Sequence, residues 1–181
     1  MKFVNALAVP LGIIGALLTY LALSFGMFFI WAVFLATCMG VALGGSKEAF
    51  KSLIICGSLG VVLASIASLI ILNVPVPLPG AMWPAIVVGA TTAMMAVAAN
   101  LPVFGAIPAT VIGYASTFAY LLSANKLSNE TFTSLNFGNP LVINILSIIV
   151  AAAFGLVSLN IAGRLTKPAP RSTARCSRLA P

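Results

Sequence analysis

The feature that most restricts this chain is a succession of six apolar stretches: Val4–Ser24, Phe28–Gly44, Ala49–Leu72, Ala81–Asn100, Phe104–Leu122 and Leu141–Gly163. A helix needs about 20 apolar residues to cross roughly 30 Å of hydrocarbon, and each stretch approaches that length. Turn-forming residues separate them: Ser24-Phe25-Gly26, Gly44-Gly45-Ser46, the Pro/Gly segment 73–80, Asn100-Leu101-Pro102 and the segment 136–140. The pattern predicts an all-α fold, a polytopic membrane bundle of six transmembrane helices occupying residues 1–163. With 61% hydrophobic and 6% charged residues, the chain lies outside the balance of ordinary soluble domains. The run from Lys2 to Leu23 is too long for a signal-peptide core and is followed almost at once by another apolar stretch, so it is expected to be the first span.

Basic residues are retained on the cytoplasmic side of a membrane. With the N-terminus inside, Lys2, Lys47, Lys51, Arg164, Lys167, Arg171, Arg175 and Arg178 all fall inside, and only Lys126 falls outside. An even number of spans keeps both the Lys47/Lys51 loop and the basic tail on the same side, so both termini are expected in the cytoplasm. Tyr20, Trp31, Trp83 and Tyr120 then come near the outer ends of their helices, where aromatic rings favour the headgroup level. Residues 164–181 are rich in Pro, Ser and Arg and are expected to be a disordered cytoplasmic tail or to lie on the inner leaflet. The net charge of +7 is scattered between apolar stretches and this tail, a distribution that suits a lipid surface and not a nucleic-acid groove.

Lipid tails offer helices little hydrophobic reason to associate, so they pack where small residues let backbones approach. Small residues recur every four positions as Ala32-Ala36-Gly40-Gly44, Cys56-Gly60-Ala64-Ser68, Ala85-Gly89-Ala93, Gly105-Ala109-Gly113-Thr117 and Ser147-Ala151-Gly155. The stripes predict close helix packing, and they would serve a homo-oligomer as well as a monomer. A second regularity, a Pro, two residues, two β-branched residues and then Gly, begins at Pro10, Pro84 and Pro108. It hints at an internal repeat, but its copies fall in the first, fourth and fifth spans. An inverted three-plus-three repeat accommodates that placement only in part.

Chemistry-bearing residues are scarce. There is no His or Asp, and the carboxylates are Glu48 and Glu130 alone. Cys38, Cys56 and Cys176 show no metal-ligand spacing. No catalytic residue, metal or cofactor is expected, and the chain is read as a non-enzyme. Pro108 lies a few residues into the fifth stretch, which predicts a broken fifth helix there, with freed carbonyls buried against protein or a watery cavity. Thr110, Tyr114, Ser116 and Thr117 follow it, Gly113 permits close backbone approach, and Asn144 is an amide in the outer half of the last span. Together with Pro108 these residues are the candidate lining of a solute pathway. Their alternative is local bonding of each hydroxyl to its own helix.

The run Gly15–Ser24, the Leu23-Ser24-Phe25-Gly26 turn, the Gly44-Gly45-Ser46-Lys47 junction and above all Ile107–Ala119 resemble the YcdZ-like family of small bacterial inner-membrane proteins of unknown function. Pro10 and Pro84 depart from that pattern. The resemblance implies a bacterial inner-membrane location and carries no activity. From the residues themselves, two functions stand side by side: a passive channel or transporter for a small polar or neutral solute, and a non-catalytic structural or accessory subunit of a membrane complex. The lack of ionisable residues in the spans disfavours proton pumping and voltage sensing.

Overall fold

The computed structural model describes residues 3–166 apart from 75, 78, 80, 124 and 135. Most of the basic tail lies outside that range. Among the described residues seven α-helices follow one another: α1 Phe3–Phe25, α2 Ile30–Ala42, α3 Lys47–Asn73, α4 Met82–Ala98, α5 Ile107–Ser123, α6 Asn129–Thr133 and α7 Pro140–Leu165. A single 3₁₀ turn, Pro102–Phe104, precedes α5.

Among the described residues, three helices are long and apolar enough to cross a membrane: α1 over Asn5–Phe25, α3 and α7. The helices α2, α4 and α5 have 13, 17 and 17 residues. At 1.5 Å per residue they rise only about 20–25 Å. The expectation of six full-length helical spans is therefore corrected to three long helices and three short ones. The apolar stretches are longer than the helices inside them because residues 26–29 before α2 and 99–101 and 105–106 before α5 are not helical.

Local chemistry sets the helix ends. Gly44 (φ 109°) and Gly45 (φ 65°) take up left-handed conformations that other residues rarely adopt, and they turn α2 into α3 within four residues. Ser46 then caps α3, its hydroxyl accepting from Ala49 N–H at 3.1 Å. Asn139 caps α7 in the same way, accepting from Leu141 N–H at 2.9 Å. Its amide also donates to the Phe132 and Ser134 carbonyls, both at 2.9 Å, which ties the loop around α6 to the start of α7.

The expected break at Pro108 is also corrected. α5 runs unbroken from Ile107 to Ser123, and Pro108 is its second residue, exposed. A first-turn N–H has no intrahelical partner to lose, so Pro there frees no carbonyl. The irregular backbone lies upstream, in the 3₁₀ turn and residues 105–106.

α3 and α7 form the centre of the bundle. α3 packs on α5, α7, α4 and α2, while α7 packs on α2, α3, α1 and α5. α1 and α4 sit at the flanks. The main core gathers Phe50, Leu53, Val33 and Ile148, and a smaller one joins Leu63, Ala64, Met95 and Tyr114. The small-residue stripes of α3 and α7 are buried, as are Ala32, Ala36 and Gly40 of α2 and Ala109, Gly113 and Thr117 of α5. The α4 stripe is the exception: Ala85, Gly89 and Ala93 face outward, and Val87, Thr91 and Met95 are the buried face.

The tightest approach is between α3 and α5. A Cβ on Gly113 would overlap the Gly57 carbonyl, and one on Gly60 would overlap the Thr110 carbonyl and the Tyr114 N–H. Backbone meets backbone here with no side chain between, the contact that small residues permit in lipid.

Candidate functional site

The residues singled out from the sequence separate into three environments. Thr110, Gly113, Tyr114, Ser116 and Thr117 are all buried on α5. Asn144 is fully buried on α7, and Pro108 is exposed. No hydrogen bond among the described residues joins Asn144 to an α5 side chain.

Most of the buried hydroxyls bond to their own helix. Thr117 donates to the Gly113 carbonyl at 2.8 Å and Ser116 to the same oxygen at 3.1 Å. Ser147 donates to the Ile143 carbonyl at 2.6 Å. Tyr114 reaches further: its hydroxyl pairs with Thr91 of α4 at 2.7 Å, and its ring packs on Phe118 with centroids 5.0 Å apart. The Asn144 amide donates to the Pro140 carbonyl at 2.9 Å, but its carbonyl oxygen has no partner among the described residues. A buried polar atom left unpaired in this way is costly.

An open space lies at one end of the bundle, the end that carries α6 and the loop before α7. A vestibule of about 460 Å³ is lined by Phe28 and Phe29 ahead of α2, Tyr120 at the end of α5, Lys126, Asn136 and Ile143. Ile143 is the neighbour of Asn144 in sequence. Lys126 donates to the Tyr120 hydroxyl at 2.7 Å, and that hydroxyl donates to the Gly138 carbonyl at 3.2 Å. Phe29 meets the Tyr120 ring edge to face at 5.6 Å. Tyr120 is therefore corrected from a headgroup anchor to a buried wall of the vestibule, whereas Tyr20 and Trp31 remain exposed.

Several of these residues escaped the sequence reading. The tie that Ser147 makes across the bundle was not read: its hydroxyl accepts from the Phe29 N–H at 2.7 Å and holds the chain where it approaches α2. Phe50 was one apolar residue among many. Its ring occupies the space beside Gly40 of α2 and Gly155 of α7, at the opposite end from the vestibule. The one signal available was the presence of glycines in both facing helices.

The family model for proteins of unknown function, DUF1097, matches residues 8–163. The chain belongs to the DUF1097 family. No curated protein and no solved structure gives a significant match. In this DUF1097 chain the matched region contains every helix described above except the first residues of α1 and the last two of α7. The vestibule and all the candidate residues fall inside it.

Proposed function

We propose that the chain crosses a bacterial inner membrane six times with both termini in the cytoplasm, and that it carries a small polar or neutral solute without enzymatic chemistry. The vestibule supports this reading: it is wide enough for a small molecule, offers the Lys126 ammonium and the Asn136 amide, and is walled in part by Ile143, the residue before Asn144. The orientation rests on the basic residues, and the bacterial location on the sequence resemblance. The short helices complete their spans with the non-helical apolar segments that precede them, backbone that is tolerated at membrane depth when protein covers it. α3 and α5 touch backbone to backbone at Gly57, Gly60 and Gly113, so a solute passes along the α5 hydroxyls only if helices move. That makes the protein a carrier in preference to an open pore.

A second reading, an accessory subunit of a membrane complex, is favoured by the self-bonded hydroxyls of Ser116, Thr117 and Ser147. Uptake by proteoliposomes of charged and uncharged small molecules, compared side by side, decides between them. In the carrier, Thr117→Val and Asn144→Leu keep the fold and lower flux. Undiminished flux in both variants would remove the pathway assignment, and absence of uptake for every solute class would favour the accessory subunit.

A further inference from the structure

The helix contacts of the bundle come in matched pairs. α1 packs on α7 as α4 packs on α3, and α2 packs on α7 as α5 packs on α3. α2 touches α3 as α5 touches α7, and α1 touches α2 as α4 touches α5. Among these six helices the two remaining contacts, α3 with α7 and α2 with α5, join each element to its own counterpart. Exchanging α1, α2 and α3 for α4, α5 and α7 thus returns the same set of contacts.

Finer details obey the same exchange. α2 and α5 are both short, and both are approached through non-helical apolar backbone. Each approach is held by a side chain from the first half of the partner unit's last helix. Ser147 of α7 accepts from Phe29 N–H at 2.7 Å, and Cys56 of α3 donates to the Val103 carbonyl at 3.6 Å. A three-helix unit has an odd number of crossings, so the second copy meets the membrane from the other side. Paired interruptions at corresponding places in two such halves are the arrangement around which alternating access is built.

We infer that residues 3–73 and 82–165 are two inverted three-helix units, and that the vestibule has a closed counterpart at the Lys47 end, beneath the approach to α5. The vestibule lies between the approach to α2, the end of α5 and the start of α7. Exchange of the units carries it to the approach to α5 at Val103 and Phe104, the end of α2, and the start of α3. Phe50 stands there, 1% exposed, filling the space beside Gly40 and Gly155. Phe50 lies in the first turn of α3, and in the first turn of α7 Ile143 is smaller and borders open space. The difference in side-chain volume accounts for one end being open and the other shut. Only the further statement that solute uses both ends in turn rests on the carrier reading.

The test uses the full chain in lipid nanodiscs, with Cys38→Ser and Cys176→Ser removing two thiols, Phe28→Cys reporting on the vestibule and Phe104→Cys on its counterpart. Maleimide labelling at each reporter is read by peptide mass spectrometry. In Phe50→Ala, labelling at position 104 is expected to rise about tenfold while labelling at position 28 falls, because a minor closed state becomes a major one. The paired exchange Phe50→Ile with Ile143→Phe, which keeps the total side-chain volume, should reverse which end labels faster, and it covers the case in which Phe50→Ala does not fold. A change confined to position 104, or changes of the same sign at both reporters, would overturn the inference. Reciprocal labelling in a protein that takes up no solute would leave the inverted units standing and remove the carrier reading.

Discussion

The α3–α5 and α2–α7 contacts occupy equivalent places in the two halves of the bundle, yet they close by different means. α3 and α5 meet through bare backbone at Gly57, Gly60 and Gly113. α2 and α7 meet through side chains: Thr37 donates to its own Val33 carbonyl at 2.8 Å and across to the Ala151 carbonyl at 3.2 Å, while the Phe50 ring fills the space beside Gly40 and Gly155. A backbone contact has a fixed separation, and any added atom forces the helices apart. A side-chain contact can re-form with another rotamer at nearly the same helix spacing. Equivalent topology therefore produces one rigid pair and one adjustable pair, and movement is expected to start at the adjustable one.

The largest effect expected from this difference is at the rigid pair. Gly113→Leu should cost upwards of about 3 kcal/mol, because the atoms it meets belong to the Gly57 backbone and cannot rotate away. Little monodisperse protein should survive purification. A variant that melts together with the parent would show that α3 and α5 do not hold their spacing through this contact.

At the adjustable pair, Phe50→Ala should destabilise by about 3 kcal/mol through the void it leaves, while the helices themselves stay formed. Thermal melting in detergent reports the loss, and far-UV circular dichroism should report unchanged helix content. Thr37→Val should cost about 0.6 kcal/mol, a usual value for one interhelical hydrogen bond in a membrane protein. A loss several times larger at Thr37 would mean that the α2–α7 pair is as intolerant as α3–α5, and the distinction between them would fall.

Much of this architecture could be read from the sequence. The helices and the packing faces of α2, α3, α5 and α7 follow from apolar length and from small residues four apart. What escaped was whatever depends on a neighbour. The Ala85-Gly89-Ala93 stripe resembles the others, but α4 lies at the flank and both its faces are apolar, so periodicity alone could not choose between them. Pro108 was misjudged because a shift of a few residues in a helix start decides whether a proline breaks a helix or begins one. Tyr120 was assigned to the headgroups because nothing near it in sequence reveals that Gly138 returns to accept its hydroxyl. The inverted pairing was nearly invisible: two of the Pro-to-Gly words fall on the exchanged helices α1 and α4, but the word on α5 has no counterpart on α2, and Gly113 is packed against backbone while Gly89 has nothing within 4 Å.

That last contrast gives the smallest expected effect. A Cβ added at Gly113 meets backbone, whereas one added at Gly89 meets open space. In a monomer whose α4 faces lipid, Gly89→Ala should therefore leave stability unchanged or raise it by up to about 1 kcal/mol, the difference in helix propensity between the two residues. Gly113→Ala should lower stability and helix packing in the same assay. The comparison also bears on the homo-oligomer that the small-residue stripes allow. If α4 used its outward stripe against a second copy, a methyl group at Gly89 would push two backbones apart, and the variant would lose stability together with oligomer mass. Melting and light scattering of Gly89→Ala, measured on the same sample, separate these cases: an unchanged mass with equal or higher stability assigns the α4 stripe to lipid, and a joint loss of both assigns it to another copy of the chain.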